Sequence, residues 1–297
     1  MKTILAALLL LSAIAPAWAW NAAGHRLVAA IAWRQMSPAA REKAVALLQR
    51  HPAYPKWSAR ADEPSHYAAF LESSSWPDDI RKDPRFYDEQ SEEPTRPFPG
   101  MADTARHKQW HYVDRFPNGR LRAGELDRQI ERLAGRLGDA RTPAAERAYA
   151  LPWIIHLVAD IHQPLHVGGR DDDGGNRVQI ENPFNRRHPI TTLHAWWDDL
   201  PGRPWLRGPK LERGADALVS ALPRRPYQGD VPLWEKESRT LGREAAYPTT
   251  LGSVLPVITW DFQSRSQAIA NRRLAEAGYR LGRLLEDAFS RVPRETE

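Results

Sequence analysis

A chain of 297 residues, 42% of them hydrophobic, is long enough to bury the core of one large domain. It contains no cysteine, which excludes a disulfide framework and any thiolate metal site. Lysine and arginine number 42 against 37 acidic residues, a net charge of +5. That mild basic excess suits a polyanionic partner without identifying one.

In chain order, residues 1–19 read as a leader rather than as part of the fold. Lys2 is a short basic region, Ile4 to Ala15 an apolar stretch, and Ala17-Trp18-Ala19 a small-x-small cleavage signal. The apolar stretch is too short to span a bilayer, and no later one is longer. An exported protein without a membrane span is expected, periplasmic or extracellular, with Trp20 as its first residue and one domain over 20–297.

Helical periodicity dominates the remainder, and no internal repeat is visible. Gly24 to Met36 reads as a buried helix, and Ser37-Pro38 caps a second that runs to about Arg50. Pro64 to Ser74 reads as another, and the proline-rich stretch 83–102 as a surface loop. Leu126, Ile130, Leu133 and Leu137 form a one-sided helix stripe. Thr142-Pro143 is expected to cap the next helix, which Pro152 should bend. Between Gly168 and Ile190 the turn residues and Arg177-Val178-Gln179-Ile180 predict a small hairpin. Helix resumes at His194–Asp198, proline-rich connectors at 201–209 and 222–232 set off two more, and a long amphipathic helix closes the chain. Its apolar side carries Ile269, Leu274, Leu281, Leu284, Leu285 and Phe289. The fold class expected is all-α, a single mainly helical domain with a hairpin excursion near 174–190.

The chemistry concentrates in Trp153–His166, WIIHLVADIHQPLH. His156 and Asp160 lie four apart on one face of an otherwise apolar helix. A buried, unpaired charge there costs several kcal/mol, so the pair needs a partner. Imidazole nitrogen and carboxylate oxygen are what zinc accepts, yet a lone His/Asp pair in a core is more often a satisfied hydrogen bond. His166, after Pro164, adds a third donor, and His194/Asp198 repeats the four-residue spacing. Cleavage after Ala19 would free an α-amino group on Trp20, five residues before His25. Amine and carbonyl of one residue form a five-membered chelate; alternatively, Trp20 only begins a helix entry.

WNAAGH (20–25), WPDDIR (76–81), WHYVD (110–114), HLVADIHQPLH (156–166), GGN (174–176) and LHAWWD (193–198) occur in that order. Together they resemble the signature series of the three-zinc, single-strand-specific nucleases of the S1/P1 family. The resemblance covers most of the chain from Trp20 to Asp199. It implies the helical fold shared by phospholipase C and P1 nuclease, and three zinc ions with nine protein ligands. One zinc would take Asp78, His111, His156 and Asp160. A second would take the amine and carbonyl of Trp20 with His25, Asp160 bridging the two. The third would take His166, His194 and Asp198. Asp78, Asp160 and Arg81 would then be catalytic, Arg81 meeting phosphate while Tyr112 stacks a base and Asp114 meets its edge.

The activity implied is a zinc-dependent endonuclease and phosphodiesterase. It would cleave single-stranded DNA and RNA at the P–O3′ bond to leave 5′-phosphates, with 3′-nucleotidase activity, by attack of a hydroxide bridging two zincs. The chain departs from the pattern at Thr192, where Asn is usual, and at Asp199, which leaves substrate preference open. Its lack of cysteine points to a bacterial member, and a monomer is expected. Two rival readings are a zinc-dependent phospholipase C, against which Asp198 and the Trp20–His25 spacing argue, and a non-catalytic periplasmic zinc-binding protein.

Overall fold

The helix that carries His156 and Asp160 is buried along nearly its whole length, from Arg147 to Asp160. This computed structural model describes residues 20–60, 65–224, 229–249, 251–252 and 254–292. The leader expected over 1–19 and the expected helix start at Pro64 lie outside the described residues.

The elements run α1 (Ala22–Gln35), α2 (Pro38–Gln49), α3 (Tyr54–Ser58), α4 (His66–Ser73) and α5 (Trp76–Asp79), then strands β1 (Val113–Arg115) and β2 (Leu121–Gly124). Next come α6 (Leu126–Leu137), α7 (Ala144–Asp160), strands β3 (Gln179–Glu181) and β4 (Ile190–Thr192), and α8 (Leu193–Asp198). The last three helices are α9 (Gly208–Ala221), α10 (Val231–Glu244) and α11 (Trp260–Ser290). The fold is mainly helical, as expected.

Local chemistry explains most element boundaries. The Ser37 hydroxyl accepts from the Ala40 N–H while Pro38 opens α2, as its sequence predicts. Thr142-Pro143 does not cap α7: Pro143 takes the cap position and has no side-chain acceptor to offer, while the Thr142 N–H donates to the Asp139 carbonyl. α7 continues helical through Pro152. The expected hairpin is the antiparallel pair β3–β4, with Gln179 opposite Thr192. A second hairpin, β1–β2, was not anticipated from the sequence. Its strands are too short for alternation to register, although Asn118-Gly119 at its tip is a hairpin signal in itself. The described helices include none long and apolar enough to cross a membrane.

α7 sits among α1, α2, α6 and α11. On α11, Leu274, Leu281, Leu285 and Phe289 are buried, as the stripe predicts, with Ile269 and Leu284 half-buried at its margin. α11 meets α1 backbone to backbone. A β-carbon added at Gly278 would lie 2.5 Å from Ile31 Cβ, and one at Gly282 would lie 2.7 Å from Gln35 Cβ. Gly278→Ala is therefore expected to destabilise the fold by about 1–3 kcal/mol through overpacking. That outweighs the helix-propensity gain of about 1 kcal/mol. A melting temperature equal to or above that of the parent would contradict this packing.

Candidate metal centre

Eight of the residues singled out from the sequence come together at one end of α7. His156 and Asp160 project from the same face of α7, one turn apart. His25, on α1, lays its ring on that of His156, centroids 3.9 Å apart and 8° from parallel. Asp78 comes from α5, a single turn opened by Pro77. His111 and His166 each end a short 3-10 turn, Lys108–His111 and Pro164–His166. His194 and Asp198 lie one turn apart on α8, whose Thr192 cap accepts from the Ala195 N–H. All eight are buried, none more than 4% exposed.

Asp160 is the hub. Its Oδ1 lies 3.4 Å from His25 Nε2, and its Oδ2 lies 3.1 Å from His111 Nδ1 and 3.2 Å from His156 Nε2. Asp78 Oδ1 stands 3.8 Å from His156 Nε2 and 4.0 Å from His111 Nδ1. A second focus has His194 Nε2 3.1 Å from His166 Nε2 and 3.4 Å from Asp198 Oδ2. Donor atoms thus converge within 4.8 Å in three sets, His25/His156/Asp160, Asp78/His111/His156 and His166/His194/Asp198.

Backbone carbonyls orient the imidazoles. His156 Nδ1–H donates to the Ser74 carbonyl at 2.7 Å, His166 Nδ1–H to that of His111 at 2.5 Å, and His194 Nδ1–H to that of Gly174 at 2.7 Å. With Nδ1 protonated, each neutral ring presents its Nε2 lone pair inward. The Nε2 atoms of His166 and His194 therefore aim two lone pairs at each other across 3.1 Å. Such a contact is repulsive unless a cation or a proton lies between them. At Asp198, the Gln163 Nε2–H donates to Oδ1 at 2.8 Å, while Oδ2 has no hydrogen-bond partner. Asp160 Oδ1 and both ring nitrogens of His25 are likewise buried without one.

Electrostatics agree with that geometry. Burial, then the neighbouring histidines and arginines, pushes the His25 imidazole well below its ordinary range; burial does the same at His111 and His166. At His156 burial opposes the charge, but Asp160 and Asp78 outweigh it and raise the pKa. Burial raises Asp160 to about 6 and Asp198 well above the carboxylate range. Buried imidazoles beside desolvated carboxylates, several lacking hydrogen bonds, are a donor set that fits a divalent ion of nitrogen and oxygen preference.

Trp20 is fully buried, and the next residue ties the chain to α8: the Asn21 N–H donates to the Asp198 carbonyl at 3.0 Å. Gly24 makes room, since a β-carbon there would lie 2.7 Å from Trp20 Cβ. Arg81, Tyr112 and Asp114 line a cleft of about 390 Å³ that opens from His111, His166 and His194. Arg81 Nε is 3.4 Å from Asp78 Oδ1. Burial raises Asp114 to about 6, against the pull of Arg122.

Three further side chains on the cleft, Lys82, Lys108 and Asp173, escaped the sequence reading. Lys82 follows Arg81 directly, and Lys108 precedes His111 by one 3-10 turn; only their adjacency to motif residues marked them. His162 stays outside the centre. Its Nδ1–H donates to the Val158 carbonyl at 2.7 Å, and its Nε2 accepts from Arg280 at 2.8 Å, fastening the end of α7 to α11.

Comparison with known proteins agrees with the motif series. The profile of the S1/P1 nuclease family matches residues 20–290. Endonuclease 4 of Arabidopsis thaliana is 33% identical over 167 residues, 49% of this chain and 52% of the relative, so the match spans about half of that protein's length. Endonuclease 3 of the same plant is 28% identical over 240 residues, 73% of this chain and 75% of the relative. Endonuclease 5 is 28% identical over 217 residues, 65% of each.

Proposed function

Because this chain belongs to the S1/P1 nuclease family, we propose that it is a zinc-dependent phosphodiesterase. Its substrates are single-stranded DNA and RNA, cut at the P–O3′ bond to leave 5′-phosphates, and 3′-nucleotides are hydrolysed as well. The observation that carries this reading is Asp160, buried, with one oxygen on His25 and the other on His111 and His156. A carboxylate so placed suits a pair of ions acting on one phosphate. The names of the Arabidopsis relatives support endonucleolytic action.

The ligand set proposed is the amine and carbonyl of Trp20 with His25 and Asp160; Asp78, His111, His156 and Asp160; and His166, His194 and Asp198. Three zinc ions held there would supply Lewis acidity toward phosphate oxygens and acidify water to near neutrality. The protein's own groups do the rest. Arg81, anchored by Asp78, offers guanidinium donors to a phosphate oxygen at the cleft. Tyr112, half-buried, offers a ring face to a base, and Asp114 accepts from the base edge. Stacking on Tyr112 requires an unpaired base, which is the basis for single-strand preference. We assign the leader over 1–19 to export, leaving a monomer in the periplasm or medium.

A substrate panel on protein beginning at Trp20 tests the reading. Single-stranded DNA and RNA should be cut at least about tenfold faster than duplex DNA, with 5′-phosphate ends and release of phosphate from 3′-AMP. Hydrolysis of phosphatidylcholine in preference to nucleic acid, or no hydrolysis of any phosphodiester by zinc-loaded protein, would overturn it.

A further inference from the structure

The cleft beside the metal centre is lined by groups of both signs. Arg81, Lys82 and Lys108 bring positive charge, Lys108 paired with Asp88 at 2.6 Å, while Asp114 and Asp173 bring negative charge and share the lining with Tyr112. We propose that Asp173 is a second base-edge carboxylate that, with Asp114, makes the cleft select the donor-rich edge of guanine. This rests on the reading of Tyr112 and Asp114 as the base site.

Asp173 is held in position by its loop. It is one of two non-glycine residues with positive φ among those described, at 55°. On one side, Asp172 accepts from the Gly175 N–H at 3.1 Å and from the Tyr247 hydroxyl at 2.7 Å, while the Arg170 guanidinium covers the Tyr247 ring at 3.9 Å. Asp171 pairs with Arg122 on β2 and with Arg177. On the other side, the Asn176 N–H and side-chain amide both donate to the Asp173 carbonyl, at 3.0 and 2.8 Å. Gly174 then delivers its carbonyl to His194. The backbone is tied on every side, and the Asp173 carboxylate is left exposed at the cleft. It is close enough to Asp114 and Tyr112 for its charge to oppose ionisation of both.

Base edges differ in what they offer such a pair of carboxylates. Guanine presents N1–H and the N2 amino group side by side, three N–H donors for two carboxylates. Adenine and cytosine present one amino group each beside a lone pair. Uracil presents one N–H flanked by two carbonyls, which two carboxylates repel. The order of preference inferred is guanine first, adenine and cytosine next, uracil last.

The test compares kcat/KM for the four 3′-mononucleotides on zinc-loaded protein, each value normalised to bis-p-nitrophenyl phosphate hydrolysed by the same preparation. Wild type should favour 3′-GMP over 3′-UMP by at least about tenfold, the scale of one hydrogen bond to a charged group. Asp173→Asn and Asp173→Gly both tolerate a positive φ, so a residue needed only for the turn would leave the ratio unchanged. Each variant is expected to lower the guanine-to-uracil ratio by about tenfold. A wild-type ratio near one, or a ratio unmoved in both variants, would overturn the assignment of Asp173. Loss of all base dependence in wild type, with intact phosphodiester hydrolysis, would instead overturn the base site as a whole.

Discussion

Asp160→Asn is expected to lower phosphodiester hydrolysis by about 10³-fold and to take two of the three zinc ions with it. The carboxylate reaches His25 through one oxygen and His111 and His156 through the other. An amide keeps the shape and one acceptor but loses the charge and the second anionic donor, so neither ion of the pair keeps its set. Loss of one preorganised group at such a site costs about 10²–10³-fold. A global folding defect would be an alternative cause of inactivity, and stability separates the two. Burial raises the Asp160 pKa to about 6, above the ordinary carboxylate value. An acid whose folded pKa is raised penalises the folded state when ionised. The penalty is complete above about pH 6 and gone below about pH 4. Metal-free Asp160→Asn should therefore melt higher than metal-free wild type at pH 7, and the difference should vanish by pH 4. An inactive variant that melts lower would show a structural defect; a fully active one would show that Asp160 bridges nothing.

The second large effect concerns the chain end. Protein that retains residues before Trp20 is expected to lose one zinc and about a hundredfold in activity, the scale of a lost metal-site partner. Trp20 is fully buried. Asn21 pins the chain beside it: its backbone N–H donates to Asp198, and its side-chain N–H groups donate to Asp199 Oδ1 at 2.9 Å and the Gly202 carbonyl at 2.7 Å. Its Oδ1 accepts from the Ala23 N–H at 2.9 Å and so caps α1. The backbone N–H and the side-chain amide of Asn21 thus fix where Trp20 must lie. An amide nitrogen in place of the free amine has no lone pair to give. Measuring zinc and activity before and after removal of a cleavable extension decides the point; equal values would exclude the amine as a ligand.

The sequence made the ligand types legible because helices carry two of the donor pairs. His156/Asp160 and His194/Asp198 share a four-residue spacing that on its own fits an ordinary hydrogen bond, and it is the ordered motifs that mark them, with the remaining donors, as ligands. What it hid were the parts that depend on chain meeting chain. The carbonyls of Ser74, His111 and Gly174 orient three imidazoles, yet a carbonyl is present at every residue and carries no compositional mark. Asp173 belongs to a run of three aspartates in which nothing local distinguishes the one at the cleft from the two that hold the loop. The β1–β2 hairpin was missed because three- and four-residue strands are too short to show a period. His162, six positions from His156, falls on another helix face, but only the arrival of Arg280 from α11 shows what it does there, fastening two helices. The Thr142-Pro143 cap failed for a local reason, since the proline itself occupies the cap position.

The central claim is that buried imidazoles and carboxylates at the end of α7 form three complete metal sites. Elemental analysis of purified protein beginning at Trp20, after exhaustive dialysis against zinc-free buffer, tests it most directly. Three zinc ions per chain are predicted; a stoichiometry of one would contradict the account.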